Sequence, residues 1–513
     1  MPSLNERPTD TLPAPGPAAV ALAVLVAVGS YVYALDSVNA PTIGDESLYL
    51  QIARVTAASG RWLPLLSESG INDTKPPLLF WQAIVSTGWG ASWDLWHVRL
   101  PVVATSLVTA LLAGLLAARI AGRRAGLVAG MVFLGFLSTI QHGRPFLTNA
   151  GETLFLFLPL LLVHRREPTG PALGLAAGLS FGLASLFKAF FLVVPGTFAL
   201  LLVLARRDRW RLPDVVRRRG AFLAVAFTVG LACFGLWFLL DPRPDLVWSQ
   251  FVVGESARKL RPGTFFSGLF RGEEALWNIW LGPIRNAGLY VPLVVALLVD
   301  LWRRRRELGD DEKDLWLYVL AFLVAYSFPT QRQANYLLPA MAALAVLLAL
   351  RWEALSGLAF RVTLVLLAVV GLLVPVFEWL VARRLGYSPF GVAAFVLPVA
   401  LAIGAAAGAR DLRLGRAALP YLVLLALPVG SAVVKPFAAP FPEEAVAAVR
   451  GKPVWFPDRF DQAQERYRFL VPGALVKGYP CPRGPVGCAP PDLPPGSHAA
   501  LFVDAGAPMP AGW

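Results

Sequence analysis

The first chemically suggestive stretch of the chain is "PTIGDESLYLQIA", where two adjacent carboxylates, Asp45 and Glu46, begin a segment with helical spacing of apolar residues. A carboxylate can accept the proton of an incoming hydroxyl or amine, so this pair is a candidate general base. Asp45 is equally suited to be the N-cap of the helix. The two roles do not exclude each other, because negative charge is favoured at a helix N-terminus.

A candidate anion-binding cation follows in "NDTKPPLLFWQAI", where Lys75 precedes two prolines and an apolar run. The prolines fix the backbone and forbid a helix at that point, so the turn that carries the lysine is stiff. The alternative is a lysine that extends its stem along the membrane and places its ammonium among the headgroups.

Further polar residues stand at the ends of apolar runs. They are Arg144 and Asn149 near Glu152, Lys188 between two apolar runs, Arg258 and Lys259 after Glu255, and Arg332 with Tyr336. Each alone is explicable as an interfacial anchor. Together they predict a site for an anionic lipid headgroup, because arginine and lysine are the preferred phosphate ligands.

The composition identifies the elements that must position these residues. The 513 residues are 56% hydrophobic and only 15% charged, with mean hydropathy +0.59, whereas soluble domains carry about a quarter charged residues. The chain is therefore predicted to be an integral membrane protein. The net charge of +13 does not indicate nucleic acid, because arginine falls in short clusters between apolar runs without interleaved aromatics.

Thirteen apolar runs predict transmembrane helices in an all-α polytopic protein. They lie near residues 18–35, 98–119, 125–140, 150–164, 171–187, 189–205, 220–240, 284–302, 314–329, 335–351, 360–381, 389–408 and 417–434. Residues 1–17 are Pro-rich and no cleavage site follows the first run. We therefore expect a disordered cytoplasmic tail and an uncleaved first span.

The distribution of arginine predicts the orientation in the cell inner (plasma) membrane. Every even-numbered connection is basic, which places these connections and the N-terminus in the cytoplasm, and only Arg383 and Arg384 strongly oppose the rule. The two long outer loops, 36–97 and 241–283, contain helical patterns and many aromatics. They are predicted to form helices at the membrane surface.

The tail, residues 436–513, is predicted to be a small mixed α/β domain outside the cell membrane. "KPVWFP" and "HAALFVDAG" have strand patterns and "DRFDQAQERYRFL" has a helical one. Cys481 and Cys488 could form a disulfide if the tail is exported, whereas Cys233 is expected in the core.

Several catalytic signatures are absent from the sequence. It contains no GxxxxGK[ST], no GxGxxG after a strand, no HExxH and no CxxC, and its four histidines do not pair at metal-ligand spacing. Nucleotide hydrolysis, dinucleotide redox chemistry and zincin chemistry are therefore without support.

Three stretches, "GDESLYLQIARVTAASGRWLPLL", "KPPLLFWQAI" and "WHVRLP", closely resemble the first outer loop of glycosyltransferase family 39. This family comprises the protein O-mannosyltransferases and the bacterial lipid A aminoarabinose transferases. The match in order and spacing covers about residues 41–115. Elsewhere "LFKAFFLVVPG" and "NYLLPAMAALAVL" are similar to a Lys-containing turn and a Tyr-Leu-Leu-Pro span of the family.

The resemblance implies a GT-C fold over residues 18–435 and a polyprenyl-phosphate-linked sugar as donor. It makes Asp45 the carboxylate near the acceptor, with Glu46 in support. Tyr49, Lys75 and Tyr336 match positions that line the lipid-phosphate cavity, and Lys188, Arg258 and Lys259 match more weakly.

The sequence also departs from the bacterial lipid A branch at three positions. Thr74 replaces the usual Glu before Lys-Pro-Pro, Ser256 stands where a metal-ligating His is expected, and Asn149 replaces a frequent Asp. Neither a bound zinc ion of that kind nor aminoarabinose transfer to lipid A is therefore expected. No cofactor is certain, and a divalent metal is left open.

The resulting hypothesis is an inverting transfer of a sugar from a polyprenyl-phosphate donor to a glycolipid, glycan or protein acceptor. Asp45 would accept the proton or fix the acceptor, and Lys75 with outer arginines would stabilise the departing phosphate. The alternatives are a flippase of lipid-linked sugars and a non-catalytic subunit of the same fold.

Overall fold

The computed structural model describes residues 15–38, 44–165, 169–188, 190–257, 269–270, 275–388, 390–434, 441–458, 463–480 and 500–501. Arg258, Lys259, Cys481 and Cys488 lie outside these residues. The described chain is mostly α-helical, which confirms the predicted fold class.

Ten helices precede the second long outer loop. They are α1 (Pro17–Val32), α2 (Gly44–Ala58), α3 (Leu78–Ser86), α4 (Leu95–Ala121), α5 (Arg123–Gly135), α6 (Leu137–Gly143), α7 (Asn149–Val163), α8 (Pro171–Phe187), α9 (Phe190–Arg207) and α10 (Leu212–Leu240). A short antiparallel hairpin, β1 (Leu66–Ser67) and β2 (Gly70–Ile71), lies between α2 and α3.

The second half of the membrane region continues with short and long helices. They are α11 (Pro244–Leu246), a π-helix (Val247–Ser256), α12 (Trp277–Trp280), α13 (Gly282–Ala287), a 3-10 turn (Gly288–Tyr290), α14 (Val291–Arg304), α15 (Asp310–Ala325), a 3-10 turn (Ala334–Leu337), α16 (Leu338–Arg351), α17 (Gly357–Leu385), α18 (Val392–Arg410) and α19 (Leu412–Val434).

All thirteen apolar runs coincide with helices of the structure. Among the described residues, six helices are long and apolar enough to cross a membrane, or seven if the bent pair α5 and α6 is one span. Four shorter apolar helices are also present, Pro17–Val32, Asn149–Val163, Pro171–Phe187 and Ala394–Arg410. The chain is thus a multi-pass membrane protein, and the exact number of thirteen spans stays a prediction.

The run predicted at 125–140 is one bent element. The backbone at Phe136 is extended, and α5 and α6 meet there at 63°. The bend places Gly135 against Tyr290, where a Cβ would lie 2.8 Å from the ring. The uninterrupted apolar composition of the run gave no sign of this break.

Arginines at the ends of the spans meet carboxylates at one end of the helix bundle, which we call the basic end. The pairs are Arg124–Glu353, Arg165–Asp311, Arg206–Asp314, Arg207–Asp314, Arg304–Glu312, Arg351–Asp300 and Arg416–Glu353, at 2.6–3.3 Å. Arg165 also donates to the Arg119 carbonyl at 3.1 Å. These contacts join all six connections whose arginines predicted a common side.

We call the opposite end of the bundle the site end. The direction in which each helix leaves or approaches the basic end shows which residues lie there. Helices α4, α7 and α16 run toward the basic end, so their first residues lie at the site end. Helices α8 and α10 run away from it, so their last residues lie there. The segment from α2 to α3 precedes α4 and belongs to the same end.

The C-terminal residues form a helix α20 (Glu443–Val449) and a parallel sheet of β3 (Pro453–Asp458), β4 (Leu475–Pro480) and β5 (Ala500–Leu501), in the order β4-β3-β5. A 3-10 helix, Ala463–Phe469, packs beside it, with Tyr467 stacked on Phe456 at 4.2 Å. Strand β5 falls within its predicted segment, and β3 overlaps its own and ends one residue beyond it, whereas β4 was not anticipated.

Candidate active site

Helix α2 carries the acidic pair at its start. It begins at Gly44, so Asp45 lies inside its first turn. The predicted role of Asp45 as N-cap is therefore wrong, because the N-cap precedes Gly44. The Asp45 side chain is exposed and has no hydrogen bond or ion pair with another described residue. Its carboxylate is therefore open to a substrate at a helix N-terminus, where its charge is favoured.

Glu46 points into the protein instead. Its carboxylate forms two parallel hydrogen bonds with the Arg99 guanidinium, Nε to Oε1 at 2.7 Å and Nη2 to Oε2 at 2.8 Å. The Phe146 backbone N–H also donates to Oε1 at 2.7 Å. Arg99 in turn donates to the carbonyl oxygens of Leu35 and Ser37. Glu46, predicted as a catalytic residue, thus has the contacts of a positioning residue that holds the start of α2.

Lys75 lies in the turn between β2 and α3. Thr74 is held by the Asn72 side chain, which accepts from its hydroxyl at 2.7 Å, and Pro76 follows. The Lys75 ammonium donates to Glu255 at the end of the π-helix, 180 residues away in sequence. Among the described residues this bond uses one of its three N–H donors, which leaves two for an anion.

Asp73 joins the same turn to the second outer loop. Its backbone N–H donates to the Gln250 side chain at 2.8 Å, and its carboxyl accepts from the Leu65 N–H at 3.3 Å. Burial, together with the neighbouring Asp241 carboxyl, raises the pKa of Asp73 to about 7. The turn that carries Lys75 is thus fixed against the π-helix that carries Glu255.

A second lysine cluster forms where α7, α8 and α16 reach the site end. Lys188 donates to Glu152 Oε2 at 2.9 Å and lies over the Tyr336 ring, 4.6 Å from its centroid. The Tyr326 hydroxyl donates to the other Glu152 oxygen at 3.3 Å. Glu152 is buried, so the lysine compensates a carboxylate that would otherwise be costly inside the protein.

The two lysine clusters are linked by packing. Helix α3, which follows Lys75, contacts α8, which ends just before Lys188. Leu79 and Phe80 of α3 share one apolar cluster with Phe187 and with Tyr49 of α2. Tyr49 is buried with its ring edge on Phe80, 5.8 Å between centroids. The structure thus brings Asp45, Lys75 and Lys188 to one end of the molecule on helices that support one another.

Three other predicted residues are buried at this end. Arg144 is fully buried and donates to the backbone carbonyls of Tyr31 and Tyr33, and Arg332 is buried and donates to the Ser327 carbonyl at 3.0 Å. These contacts give both arginines a role in holding backbone. Asn149 is the first residue of α7 and is also buried.

Sequence reasoning did not single out Arg99, although it fixes the acidic pair. The only available signal was an arginine inside the apolar segment "WHVRLP" at the start of a span. Such a residue needs a buried partner, because an unpaired charge in that position is costly. The same argument explains why Glu152, which the sequence analysis named beside Arg144 and Asn149, is paired with Lys188.

The described residues do not fit the zinc site of the lipid A branch. No group of three or more His, Cys, Asp or Glu side chains in the described ranges could hold a metal ion. Thr74 supplies only a hydroxyl, already bonded to Asn72. No chemical step through a metal is therefore derived.

Comparisons with known proteins agree with the fold. The sequence model of the family described as dolichyl-phosphate-mannose-protein mannosyltransferase matches residues 74–237. The crystal structure of ArnT from Cupriavidus metallidurans bound to undecaprenyl phosphate is similar at a TM-score of 0.66 and 18% identity, covering 89% of this chain and 85% of that one. The same protein in the apo state gives 0.65 and 19%, with the same coverage.

A search of curated protein sequences returned no significant match. At these identities the structural likeness establishes the fold. The chain therefore has the GT-C architecture of ArnT, and the predicted resemblance to the mannosyltransferases of glycosyltransferase family 39 is confirmed over residues 74–237.

Proposed function

We propose that this protein is an integral membrane glycosyltransferase. It transfers a sugar from a polyprenyl-phosphate-linked donor to a hydroxyl of a glycolipid, glycan or protein acceptor. The reaction takes place at the site end, on the outer face of the cytoplasmic membrane, with the N-terminus in the cytoplasm and the C-terminus outside. The sugar is a hexose or a pentose.

One observation carries this proposal. A carboxylate with no partner among the described residues, Asp45, lies at the same end as two lysines that each retain N–H donors, Lys75 and Lys188. A phosphate leaving group needs cations and an incoming hydroxyl needs a base. The undecaprenyl phosphate bound to the structurally similar ArnT supports a lipid phosphate as the anion.

The chemistry follows from these groups. The acceptor oxygen attacks the anomeric carbon, its proton passes to the Asp45 carboxylate, and the bond between that carbon and the phosphate oxygen breaks. The electron pair leaves with the polyprenyl phosphate, whose new charge is stabilised by the Lys75 and Lys188 ammonium groups. Phosphate is an adequate leaving group, so the contributions of these side chains are positioning and charge stabilisation.

The two alternatives make different use of Asp45. A flippase would need a polar path across the membrane and not a base at one end. A non-catalytic subunit would have no use for an exposed carboxylate at the same end of the bundle as two lysines. The open Asp45 side chain therefore favours an enzyme.

The test is complementation of a deletion strain, with mass spectrometry of its glycolipids, glycans and proteins to find the sugar that disappears. We expect Asp45→Asn and Lys75→Ala to leave that sugar absent, because each removes a charge that acts on the reacting groups. Membrane levels and size-exclusion profiles should match those of the wild type, since both side chains have exposed surface.

Matched controls are Asp36→Asn and Lys452→Ala. Both residues are exposed and neither has a salt bridge in the described structure, so each should restore the sugar fully. Full restoration by both Asp45→Asn and Lys75→Ala would refute the proposed reaction. An unchanged sugar content in the deletion strain itself would refute the enzyme assignment.

A further inference from the structure

The C-terminal domain is tied to α2 through charged side chains that the reaction itself does not use. The Arg54 guanidinium on α2 forms two hydrogen bonds with Glu465 of the 3-10 helix, Nε to Oε1 at 2.6 Å and Nη2 to Oε2 at 3.0 Å. Two parallel N–H···O bonds of this kind combine charge with fixed geometry. Glu465 is fully buried.

Two further residues close this contact into a ring. Arg468 donates to Glu465 at 3.0 Å and to Glu68 at 2.7 Å, and Glu68 accepts from Arg54 at 2.6 Å. Glu68 follows β1, so the ring joins α2, the hairpin and the C-terminal domain. We call these four residues, Arg54, Glu68, Glu465 and Arg468, the α2 clamp.

Apolar packing accompanies the clamp. Phe469 and Leu470 of the C-terminal domain pack against the cluster that contains Tyr49 and Ile52 of α2. The domain is therefore docked on the helix by buried contact as well as by charge, and its 3-10 helix is the element that touches α2.

The clamp holds the end of α2 away from Asp45. Arg54 lies about two and a half turns beyond Asp45, which places it on the opposite face of the helix and about 14 Å along the axis. Glu46 and Arg99 hold the first turn, and the clamp holds the last turns. A helix fixed at both ends cannot rotate or tilt without breaking one of these buried contacts.

We propose that Glu465 is a positioning residue for Asp45, acting through Arg54 and the α2 helix. The C-terminal domain is then a part of the catalytic apparatus that sets where the Asp45 carboxylate stands. This inference rests on the proposed function of Asp45. It assigns a role to a domain in which sequence reasoning recognised no motif.

The experiment uses the full-length protein with Glu465→Gln, with Arg54→Lys as a milder second variant that keeps the charge. We expect the transfer rate at saturating donor to fall about tenfold to a hundredfold, as small misplacements of a catalytic group do. The affinity for undecaprenyl phosphate, measured directly, should not change, because the lysines are untouched. Amide hydrogen exchange of residues 44–58 should accelerate.

The matched control is Glu443→Gln, an exposed carboxylate of the same domain without a salt bridge in the described residues. It should behave as the wild type. In a double variant, Arg54→Ala with Glu465→Ala, the loss of rate should be smaller than the losses of the two single alanine variants combined, because both remove the Arg54–Glu465 contact.

The outcomes separate this inference from the proposed function. Wild-type transfer and wild-type exchange in Glu465→Gln would overturn the positioning role while leaving the enzyme assignment intact. Faster exchange with an unchanged transfer rate would show that the clamp is only a structural contact, and would also overturn the positioning role. Failure of the wild-type protein to transfer any sugar would overturn both, and the exchange data would still report the docking.

Discussion

Asp45 and Glu46 are neighbours in sequence with opposite surroundings. Asp45 is exposed, whereas Glu46 is buried and accepts three hydrogen bonds, two from Arg99 and one from the Phe146 N–H. One carboxylate is available to substrate and the other fixes the backbone that carries it. This difference in exposure follows from helix geometry, because the side chains of adjacent helical residues point about 100° apart.

This contrast gives a prediction about stability. Glu46→Gln should lower the free energy of unfolding by roughly 3–5 kcal/mol, because it leaves the Arg99 guanidinium buried without its counter-charge. Asp45→Asn should change it by no more than about 0.5 kcal/mol, as expected of an exposed side chain with no partner among the described residues. Unfolding of the two purified proteins in one detergent, followed by intrinsic fluorescence, measures the difference. Equal stability of the two variants would contradict the buried role of Glu46.

The sequence predicted which residue types meet at the site but not how they pair. The acidic pair and Lys75 stood out because of their charge beside apolar runs. Their partners, Arg99 and Glu255, lie 53 and 180 residues away, and no local pattern encodes a contact at that separation. The family resemblance suggested the roles of Asp45, Glu46 and Lys75, and only the folded structure showed which residues they pair with.

At the scale of elements, α8 and α10 pack through small residues. A Cβ at Gly174 would lie 2.7 Å from the Phe222 carbonyl oxygen, and one at Gly178 2.7 Å from that of Ala226. Glycines four residues apart let two helices approach closely in a membrane. Because α8 ends next to Lys188, this close packing also determines where that ammonium stands.

A single added methyl group tests this packing. Gly178→Ala should lower stability by about 1–3 kcal/mol, since the new Cβ forces the two helices apart, and should reduce sugar transfer through displacement of Lys188. Gly235→Ala on α10 is the control, because nothing lies within 4 Å of a Cβ there. It should be neutral or slightly stabilising. Thermal unfolding measures the stability of both variants, and the complementation assay measures their sugar transfer. Wild-type stability and transfer in Gly178→Ala would contradict the packing argument.

Helices were the most predictable elements, because each apolar run is long and its composition excludes other structures in a membrane. The break at Phe136 was not predictable from the local sequence, and Tyr290, whose ring lies against Gly135 there, comes from a distant segment. Strand β4 was missed because "LVKGYP" contains lysine, glycine and proline, which are depleted in strands. Its pairing with β3 is decided by the fold of the domain.

At the scale of the whole molecule, the two ends differ in chemistry. Six connections meet at the basic end through ion pairs, whereas the site end holds Asp45, Lys75 and Lys188. The arginine pattern predicted that every second connection lies on the same side, and in the structure these connections lie together at one end of the bundle. The relation of those ends to the two sides of the membrane remains a prediction from the positive-inside rule.

Cysteine labelling tests the orientation. In a background without Cys233, Cys481 and Cys488, Glu443→Cys should react with a membrane-impermeant maleimide in intact cells, and Arg303→Cys only after permeabilisation. Both positions are exposed, so protection by the membrane is the sole difference between them. Arginine is retained on the cytoplasmic side during insertion, which is why Arg303 is expected inside. The reverse labelling would put Asp45 and Lys75 in the cytoplasm and exclude transfer at the outer face, whatever the sugar.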